Sequence, residues 1–280
     1  MEKPDLVQIF GSYTSWKLDD CTWVINFMNG SQNMYLLEGD EKALLIDTGW
    51  GAGNLRDYVS KLTDKPILVA NTHIHPDHAA GNGEFEQVYV SRNFEKDAPS
   101  VAGCPFDISK LPHPDYEKIM VGTGDVIELG GRSIEVIDAF PAHCDTSLFF
   151  FDRSHGMYFC GDDFESTQVL MYDNSANPDC VYDIAQRLNN LRTNAKGIAA
   201  LRDEILYLLP NHNGAPIAMS YIDDYIGLVD HIFAGDAVIE EHLNHPFIEQ
   251  DPIAPYLCRV RWGHSSIFAK KADIESVYGK

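Results

Sequence analysis

The chain has 280 residues, 45% of them hydrophobic, and a formal net charge of −21. That length can bury a large core, whereas the negative charge disfavours nucleic acid and anionic membrane surfaces as partners. No apolar run approaches the length that spans a bilayer, and the N-terminus shows no secretory pattern. None of the six cysteines forms a Cys-x-x-Cys pair, so we expect a cytoplasmic protein with reduced thiols.

The N-terminal part predicts a sheet followed by one short helix. Residues 1–20 are polar, and we expect them to be irregular. Apolar and alternating runs bounded by turn residues predict the next elements. These are strands at 23–26, 33–38, 42–47 and 67–71, with a helix at about 52–62.

Four side chains that can bind metal directly follow the strand at 67–71, namely His73, His75, Asp77 and His78. Two histidines at positions i and i+2 of an extended or loop backbone can turn toward one ion, and Pro76 disfavours a helix here. Asp77 and His78 are adjacent and are expected to point away from the first pair. Four ligands in this order suit two metal ions better than one. Imidazole and carboxylate form a zinc-like donor set, although manganese or iron would also fit.

The middle of the chain predicts a strand at 88–91, an insertion and a hairpin. The insertion, at about 93–124, contains four prolines and is expected to form loops and small helices that serve as a lid or a dimer contact. His113 lies within it and is expected at the surface. Strands at 126–129 and 133–138 flank the tight turn Gly130-Gly131.

Three further candidate ligands also lie next to predicted strands. His143 precedes a strand at 148–151, Asp162 follows a strand at 157–160, and His212 follows a strand at 205–209. Strand ends are where α/β folds place binding residues. The remaining predicted elements are a largely helical stretch at 164–200 with its clearest helix at 179–191, a long helix at about 215–243 and a strand pair within 256–270.

The segment His73-Ile-His75-Pro-Asp77-His78 resembles the His-x-His-x-Asp-His signature of the metallo-β-lactamase superfamily. Pro141-Ala142-His143, Gly161-Asp162 and Pro210-Asn211-His212 resemble the segments that supply its other ligands, although Ala142 stands where glycine is usual. The resemblance covers about residues 20–215 and implies an α+β fold, the four-layer αββα sandwich. It implies one domain over 1–280, with the insertion at 93–124 and a helical C-terminal extension at about 215–280.

The resemblance also implies a binuclear site with two Zn²⁺ per chain, Mn²⁺ or Fe²⁺ being possible. It assigns His73, His75 and His143 to one metal. It assigns Asp77, His78 and His212 to the other, with Asp162 bridging both. A bridging hydroxide would attack the substrate, and Asp77 would have a second, catalytic role in orienting it and passing on its proton.

Two other residues have roles that the sequence leaves open. In Asp47-Thr48-Gly49, which resembles an Asp-x-Gly segment of the superfamily, Asp47 either braces the metal loop or only ends a strand. Tyr172 could reach the cleft, but its spacing from Asp162 favours a place in the core or at the rim.

The function that the resemblance implies is hydrolysis of a small carbonyl substrate: an ester, a lactone or a thioester. The alternative is a phosphodiesterase of the same superfamily. Asp162 disfavours a β-lactamase, the charge of −21 disfavours a nuclease, and His75 in place of glutamate disfavours a di-iron redox protein. A small-molecule substrate is the expected partner, and a homodimer is possible.

Overall fold

The computed structural model describes residues 7–8, 11–96, 115–172, 182–243, 245, 248–250 and 252–280. Most of the insertion predicted at 93–124, including His113, lies outside the described residues, as does the start of the helix predicted at 179–191. Within the described ranges, no helix is both long and apolar enough to cross a membrane.

The first sheet has seven strands that lie side by side in the order of the chain. The pairings among the first four strands are antiparallel, and the three that follow are parallel. Its strands are β1 (Thr14–Asp19), β2 (Thr22–Phe27), β3 (Gln32–Glu38), β4 (Ala43–Ile46), β5 (Ile67–Ala70), β6 (Gln87–Ser91) and β7 (Glu117–Val121). Helix α1 (Leu55–Val59) connects β4 to β5, and α2 (Pro76–Ala79) follows β5.

The second sheet has five strands, β8 (Val126–Glu128), β9 (Ser133–Asp138), β10 (Leu148–Asp152), β11 (Met157–Gly161) and β13 (Tyr207–Pro210). Their order is β13-β11-β10-β9-β8, and only the pairing of β11 with β13 is parallel. A third sheet, in the order β12-β16-β15-β14, contains β12 (Val169–Leu170), β14 (Val238–Glu240), β15 (Leu257–Trp262) and β16 (Ser265–Lys270). The remaining helices are α3 (Ile184–Ala200), α4 (Ser220–Ala234) and α5 (Lys271–Val277).

An apolar core lies between the first two sheets. Tyr35 from β3 and Phe150 and Phe159 from the second sheet are fully buried in it. Neighbouring residues on each strand point to opposite faces, so the outer face of the first sheet packs on α1. The outer face of the second sheet packs on α3, α4 and the third sheet. The predicted α+β class and the αββα layer order are confirmed.

Two edge strands of the first sheet were not predicted. The interval 1–20, expected to be irregular, contains β1, and the insertion at 93–124 contains β7. Both strands lie at an edge of the first sheet, and most of their side chains are exposed or half-buried. An edge strand needs no continuous apolar pattern, so its sequence resembles that of a loop.

The C-terminal extension is mixed rather than helical. The prediction of one long helix at 215–243 is wrong, because α4 ends at Ala234 and is followed by β14. Gly235 has a φ of 78° and its N–H donates to the carbonyl of His231, which is a left-handed helix end that favours glycine. The strand pair predicted within 256–270 is confirmed as β15 and β16.

Candidate metal centre

The seven predicted ligands meet at one edge of the sandwich, where several strands end. His73 and His75 follow β5, Asp162 follows β11, and His212 follows β13. His143 lies in the connection between β9 and β10. The candidate centre is therefore built on the ends of strands from both sheets.

Asp77 and His78 lie in the short helix α2, at a position where the sequence argued against a helix. Pro76 occupies the first turn of α2, where its missing N–H would have had no helical partner. The expectation that Pro76 disfavours a helix here is therefore wrong. The helix presents Asp77 and His78 on the side toward His212.

The first group of side chains consists of His73, His75 and His143, whose ligand atoms all lie within 4.8 Å of one another. Nδ1 of His75 lies 3.1 Å from Nε2 of His73 and 3.1 Å from Nε2 of His143. Nδ1 of His143 donates to the carbonyl of Leu170 at 2.9 Å, so its Nε2 presents a lone pair when the ring is neutral. Burial, aided by the neighbouring His143, lowers the pKa of His75 to about 3.

The second group consists of Asp77, His78, Asp162 and His212. Nε2 of His212 lies 3.1 Å from Oδ2 of Asp77 and 3.3 Å from Nε2 of His78. Burial alone would lower the pKa of His212, but Asp162 holds it well above its usual value. Asp162 likewise raises the pKa of His78 against the effect of burial, and a divalent ion would compete with protons for these ring nitrogens.

Asp162 belongs to the second group and also faces the first group. Its Oδ2 is 3.2 Å from Nε2 of His78 and 3.3 Å from Nε2 of His212. The same oxygen is 3.8 Å from Nε2 of His73 and 3.8 Å from Nε2 of His143. One carboxylate oxygen therefore faces ligand atoms of both groups.

Side chains and carbonyls behind the ligands fix their orientation. Oδ2 of Asp47 lies 2.9 Å from Nδ1 of His78, and the carbonyl of Ser31 lies 2.9 Å from Nδ1 of His212. Asp47 also accepts hydrogen bonds from Thr72 and Asn211. Of the two roles left open for Asp47, bracing of the site is the one that its contacts support. Such partners behind a metal-binding histidine set its tautomer and ring orientation.

The donor set fits divalent metal ions. In the first group, ring nitrogens approach each other at 3.1 Å, which brings lone pairs together unless a cation or a proton lies between them. Oδ1 of Asp162 is buried and has no hydrogen-bond partner among the described residues. A buried carboxylate oxygen without a partner is costly unless it faces a cation. His73, His75 and His143 would hold one ion, and Asp77, His78 and His212 a second.

Three polar residues beside His212 were not singled out from the sequence. Asn213 donates to Glu165 at 2.9 Å and to the hydroxyl of Thr167 at 2.7 Å. Glu165 is buried, and burial raises its pKa to about 8. The only sequence signal was the acidic run from Asp162 to Glu165. Tyr172 packs at the edge of the cluster around Phe268, as expected for a core or rim residue.

A sequence model of the metallo-beta-lactamase superfamily matches residues 28–207, which is more than half of the chain. The chain belongs to the metallo-beta-lactamase superfamily. Membership implies a divalent metal, and the His/Asp groups described above are its candidate sites. The match ends before His212, so the last candidate ligand and strands β14, β15 and β16 of the third sheet lie beyond the matched residues.

Curated relatives of this superfamily member include three proteins with different names. The chain is 27% identical to "Acyl-coenzyme A thioesterase MBLAC2" of Gallus gallus, over 51% of this chain and 58% of that protein. It is 26% identical to "Coenzyme F420H(2) oxidase" of Methanocaldococcus jannaschii, over 51% of this chain and 37% of that protein. It is 26% identical to "Hydroxyacylglutathione hydrolase" of Francisella philomiragia, over 68% of this chain and 72% of that protein. The chain thus spans little more than half of the first relative.

Among solved structures, a metallo-beta-lactamase from Pontibacter korlensis resembles the fold with a TM-score of 0.56 and 15% identity. The superposition covers 78% of this chain and 99% of that chain. At this identity the likeness concerns the fold alone.

Proposed function

We propose that this member of the metallo-beta-lactamase superfamily is a hydrolase that binds two divalent metal ions and cleaves a small carbonyl substrate. The observation that carries the proposal is the position of Asp162, whose Oδ2 faces His78 at 3.2 Å and His73 at 3.8 Å. Among esters, lactones and thioesters, thioesters are the first class to test. Two of the relatives are named for thioester hydrolysis, as "Acyl-coenzyme A thioesterase MBLAC2" and "Hydroxyacylglutathione hydrolase".

The ligand assignment follows the two groups. His73, His75 and His143 would hold one ion, Asp77, His78 and His212 the other, and Asp162 both. Zinc suits this set of imidazoles and carboxylates. When bound, a pair of divalent ions supplies a water of lowered pKa and a Lewis acid for the carbonyl oxygen.

Asp77 is the residue of this chain that we assign to proton transfer. Its side chain is 20% exposed, whereas that of Asp162 is 7% exposed, so Asp77 is the more accessible carboxylate of the second group. Nε2 of His212 holds Oδ2 of Asp77 at 3.1 Å. Asp77 would orient the attacking water, accept its proton and deliver that proton to the leaving group.

Several hydrogen bonds keep the surrounding imidazoles in fixed tautomers. Nδ1 of His143 donates to Leu170, and Nδ1 of His212 donates to Ser31. Their Nε2 atoms therefore point into the centre. Fixed donors and acceptors need no rearrangement during the reaction, which lowers the barrier.

The test is a parallel assay of zinc-loaded protein. The substrates are an acyl-coenzyme A thioester, a glutathione thioester, a lactone, an aryl ester and bis(p-nitrophenyl) phosphate. His75→Ala is the inactive control, and His264→Ala, whose side chain is 76% exposed on the third sheet, is the matched histidine control. We expect thioester turnover that His75→Ala abolishes and His264→Ala retains. Phosphodiester turnover without carbonyl turnover, or absorption bands of bound iron with no hydrolysis, would overturn the proposal.

A further inference from the structure

A further group of side chains that could bind metal lies outside the candidate metal centre, and we call it the Cys21 site. It consists of a carboxylate oxygen of Asp19, the thiol sulfur of Cys21 and a ring nitrogen of His155. These atoms all lie within 4.8 Å of one another. Sγ of Cys21 lies 3.5 Å from Nε2 of His155. Asp19 is the last residue of β1, and its Oδ1 accepts the N–H of Cys21, in the β1–β2 turn, at 2.9 Å.

The group joins the two sheets at the end opposite the candidate metal centre. Cys21 precedes β2 in the first sheet, and His155 lies in the turn that precedes β11 in the second sheet. Strand β11 runs from this turn to Asp162 at the other end. At about 3.3 Å per residue, a five-residue strand separates the two sites by roughly 15–20 Å.

The ring of His155 is held in the orientation that a metal ligand requires. Its Nδ1 lies 2.9 Å from Oδ2 of Asp152, a fully buried carboxylate. Asp152 is in turn fixed by Nε of Arg132 at 2.7 Å and by the hydroxyl of Ser154 at 2.6 Å. With its proton on Nδ1, the neutral ring directs the lone pair of Nε2 toward Cys21. A carboxylate behind a histidine in this way is the usual support for a zinc ligand.

The net charge of the group is negative and therefore favours a divalent cation. Asp19, Asp152 and a Cys21 thiolate carry three negative charges, and Arg132, whose Nη1 lies 3.5 Å from the sulfur, carries one positive charge. Burial raises the pKa of the Cys21 thiol; the charge of Arg132 opposes this rise, and Asp19 adds to it. A divalent ion would supply the positive charge that stabilises the thiolate.

We infer that Asp19, Cys21 and His155 form a separate, mononuclear site for a Zn²⁺-like divalent cation. Thiolate, imidazole and carboxylate are all zinc ligands, and three protein ligands leave one position for water or another small ligand. An ion bound here links the β1–β2 turn to the β10–β11 turn and thereby clamps the two sheets together. The site is independent of the hydrolytic proposal, because it shares no ligand with the candidate metal centre.

Cobalt provides a specific test, because the ligands proposed for the hydrolytic centre include no sulfur. The 280-residue chain is loaded with Co²⁺, and the near-ultraviolet band of thiolate-to-cobalt charge transfer is recorded as the metal is added. We expect the band in the native protein. We expect its loss in Cys21→Ser and in His155→Ala, and each of these variants should bind one ion fewer per chain than the native protein.

The controls use three of the five other cysteines. Cys258→Ala, and a variant with both Cys104 and Cys180 changed to Ala, are expected to keep the band. Circular dichroism shows whether Cys21→Ser and His155→Ala remain folded. Because both positions are only half-buried, we expect native spectra. A native protein without the band, or a folded Cys21→Ser variant that keeps it, would overturn the proposal.

A second readout tests the clamp. Added Zn²⁺ is expected to raise the Tm of the native protein more than that of Cys21→Ser, because binding to the folded state stabilises it. An equal rise in the Tm of the two proteins would show that the Cys21 site binds no ion.

Discussion

Oδ2 of Asp47 lies 2.9 Å from Nδ1 of His78, and Asp47 holds this position with a φ of 64°. A positive φ is uncommon for aspartate and persists only where the surrounding structure enforces it. Hydrogen bonds from Thr72 and Asn211 to the same carboxylate provide that enforcement. The strained residue therefore lies directly behind a proposed metal ligand.

Replacing Asp47 should weaken metal binding although Asp47 is not a proposed ligand. Asn tolerates a positive φ, so Asp47→Asn keeps the backbone while it removes the charge behind His78. Losses of about 10–100-fold in metal affinity are typical for such partners. Competition with a chromophoric chelator measures the affinity. Asp40→Asn, at an exposed turn position, is the matched control and should leave it unchanged. An Asp47→Asn affinity equal to that of the native protein would contradict the bracing role.

Replacing Asp77 should affect poor leaving groups most. If Asp77 delivers the proton, Asp77→Asn lowers turnover strongly for an alkyl ester or alkyl thioester and less for an activated aryl ester. The readout is the ratio of the two rates in metal-saturated protein, so a general loss of metal does not imitate the effect. Asp162→Asn is the comparison, and it should lower both rates in the same proportion. A ratio unchanged by Asp77→Asn would remove the proton-transfer role.

Replacing Gly161 should disturb the backbone conformation that positions Asp162. It has a φ of 57°, and a Cβ at this position would lie 3.2 Å from Cβ of Thr72. A non-glycine residue in this conformation costs about 1–2 kcal/mol, so Gly161→Ala should lower the free energy of unfolding by that amount. It should also weaken metal binding, because the backbone leads directly into Asp162.

Gly197 is the matched control for that substitution. It lies inside α3, and a Cβ there would have no neighbour within 4 Å. Replacement of a helical glycine by alanine stabilises by about 0.5–1 kcal/mol, so Gly197→Ala should raise the free energy of unfolding. Urea titrations of both variants measure the two values. Equal changes of the same sign would contradict the conformational explanation.

The buried pair Arg132–Asp152 should make stability depend on pH in the acid range. Burial would raise the pKa of Asp152, but the hydrogen bond from Ser154 and the charge of Arg132 hold it below its usual value. The unfolded carboxyl has a pKa of about 3.9. The stabilising contribution is therefore complete above this value and is lost as the pH falls through the lower folded pKa.

Urea unfolding at several pH values between about 2 and 6 tests this contribution. The free energy of unfolding of the native protein should fall with decreasing pH, and the fall should be shallower in Asp152→Asn. That variant should also lose about 3–5 kcal/mol at neutral pH, because it leaves Arg132 buried without its partner charge. The same slope in both proteins would show that Asp152 is not the responsible group.

The strands of the two central sheets could be predicted from the sequence for a physical reason, whereas the αββα layer order and the full set of seven ligands were predicted from the resemblance to the metallo-β-lactamase superfamily. Strands such as Leu148–Asp152 and Met157–Gly161 are buried at every position, so apart from the final Asp152 they carry no charged side chain. Strand ends then bring His73, Asp162 and His212 to one edge of the sandwich.

Other features depend on contacts between distant parts of the chain. Strand β1 is half-exposed at a sheet edge, and α4 stops at Gly235 although its polar and apolar pattern continues. Cys21 and His155 lie 134 residues apart, and no motif links them. Such proximity follows from the pairing of the two sheets, which local sequence patterns do not specify.

The most direct test of the proposed function follows thioester hydrolysis while metal-free protein is titrated with Zn²⁺. The experiment uses the Cys21→Ser variant, so that an ion bound at the Cys21 site does not enter the count of bound ions. We expect activity to rise until two ions are bound per chain, and the same titration of Asp162→Asn in this background to give no comparable activity. Full activity in metal-free protein, or a titration that Asp162→Asn leaves unchanged, would contradict a hydrolytic centre built around Asp162.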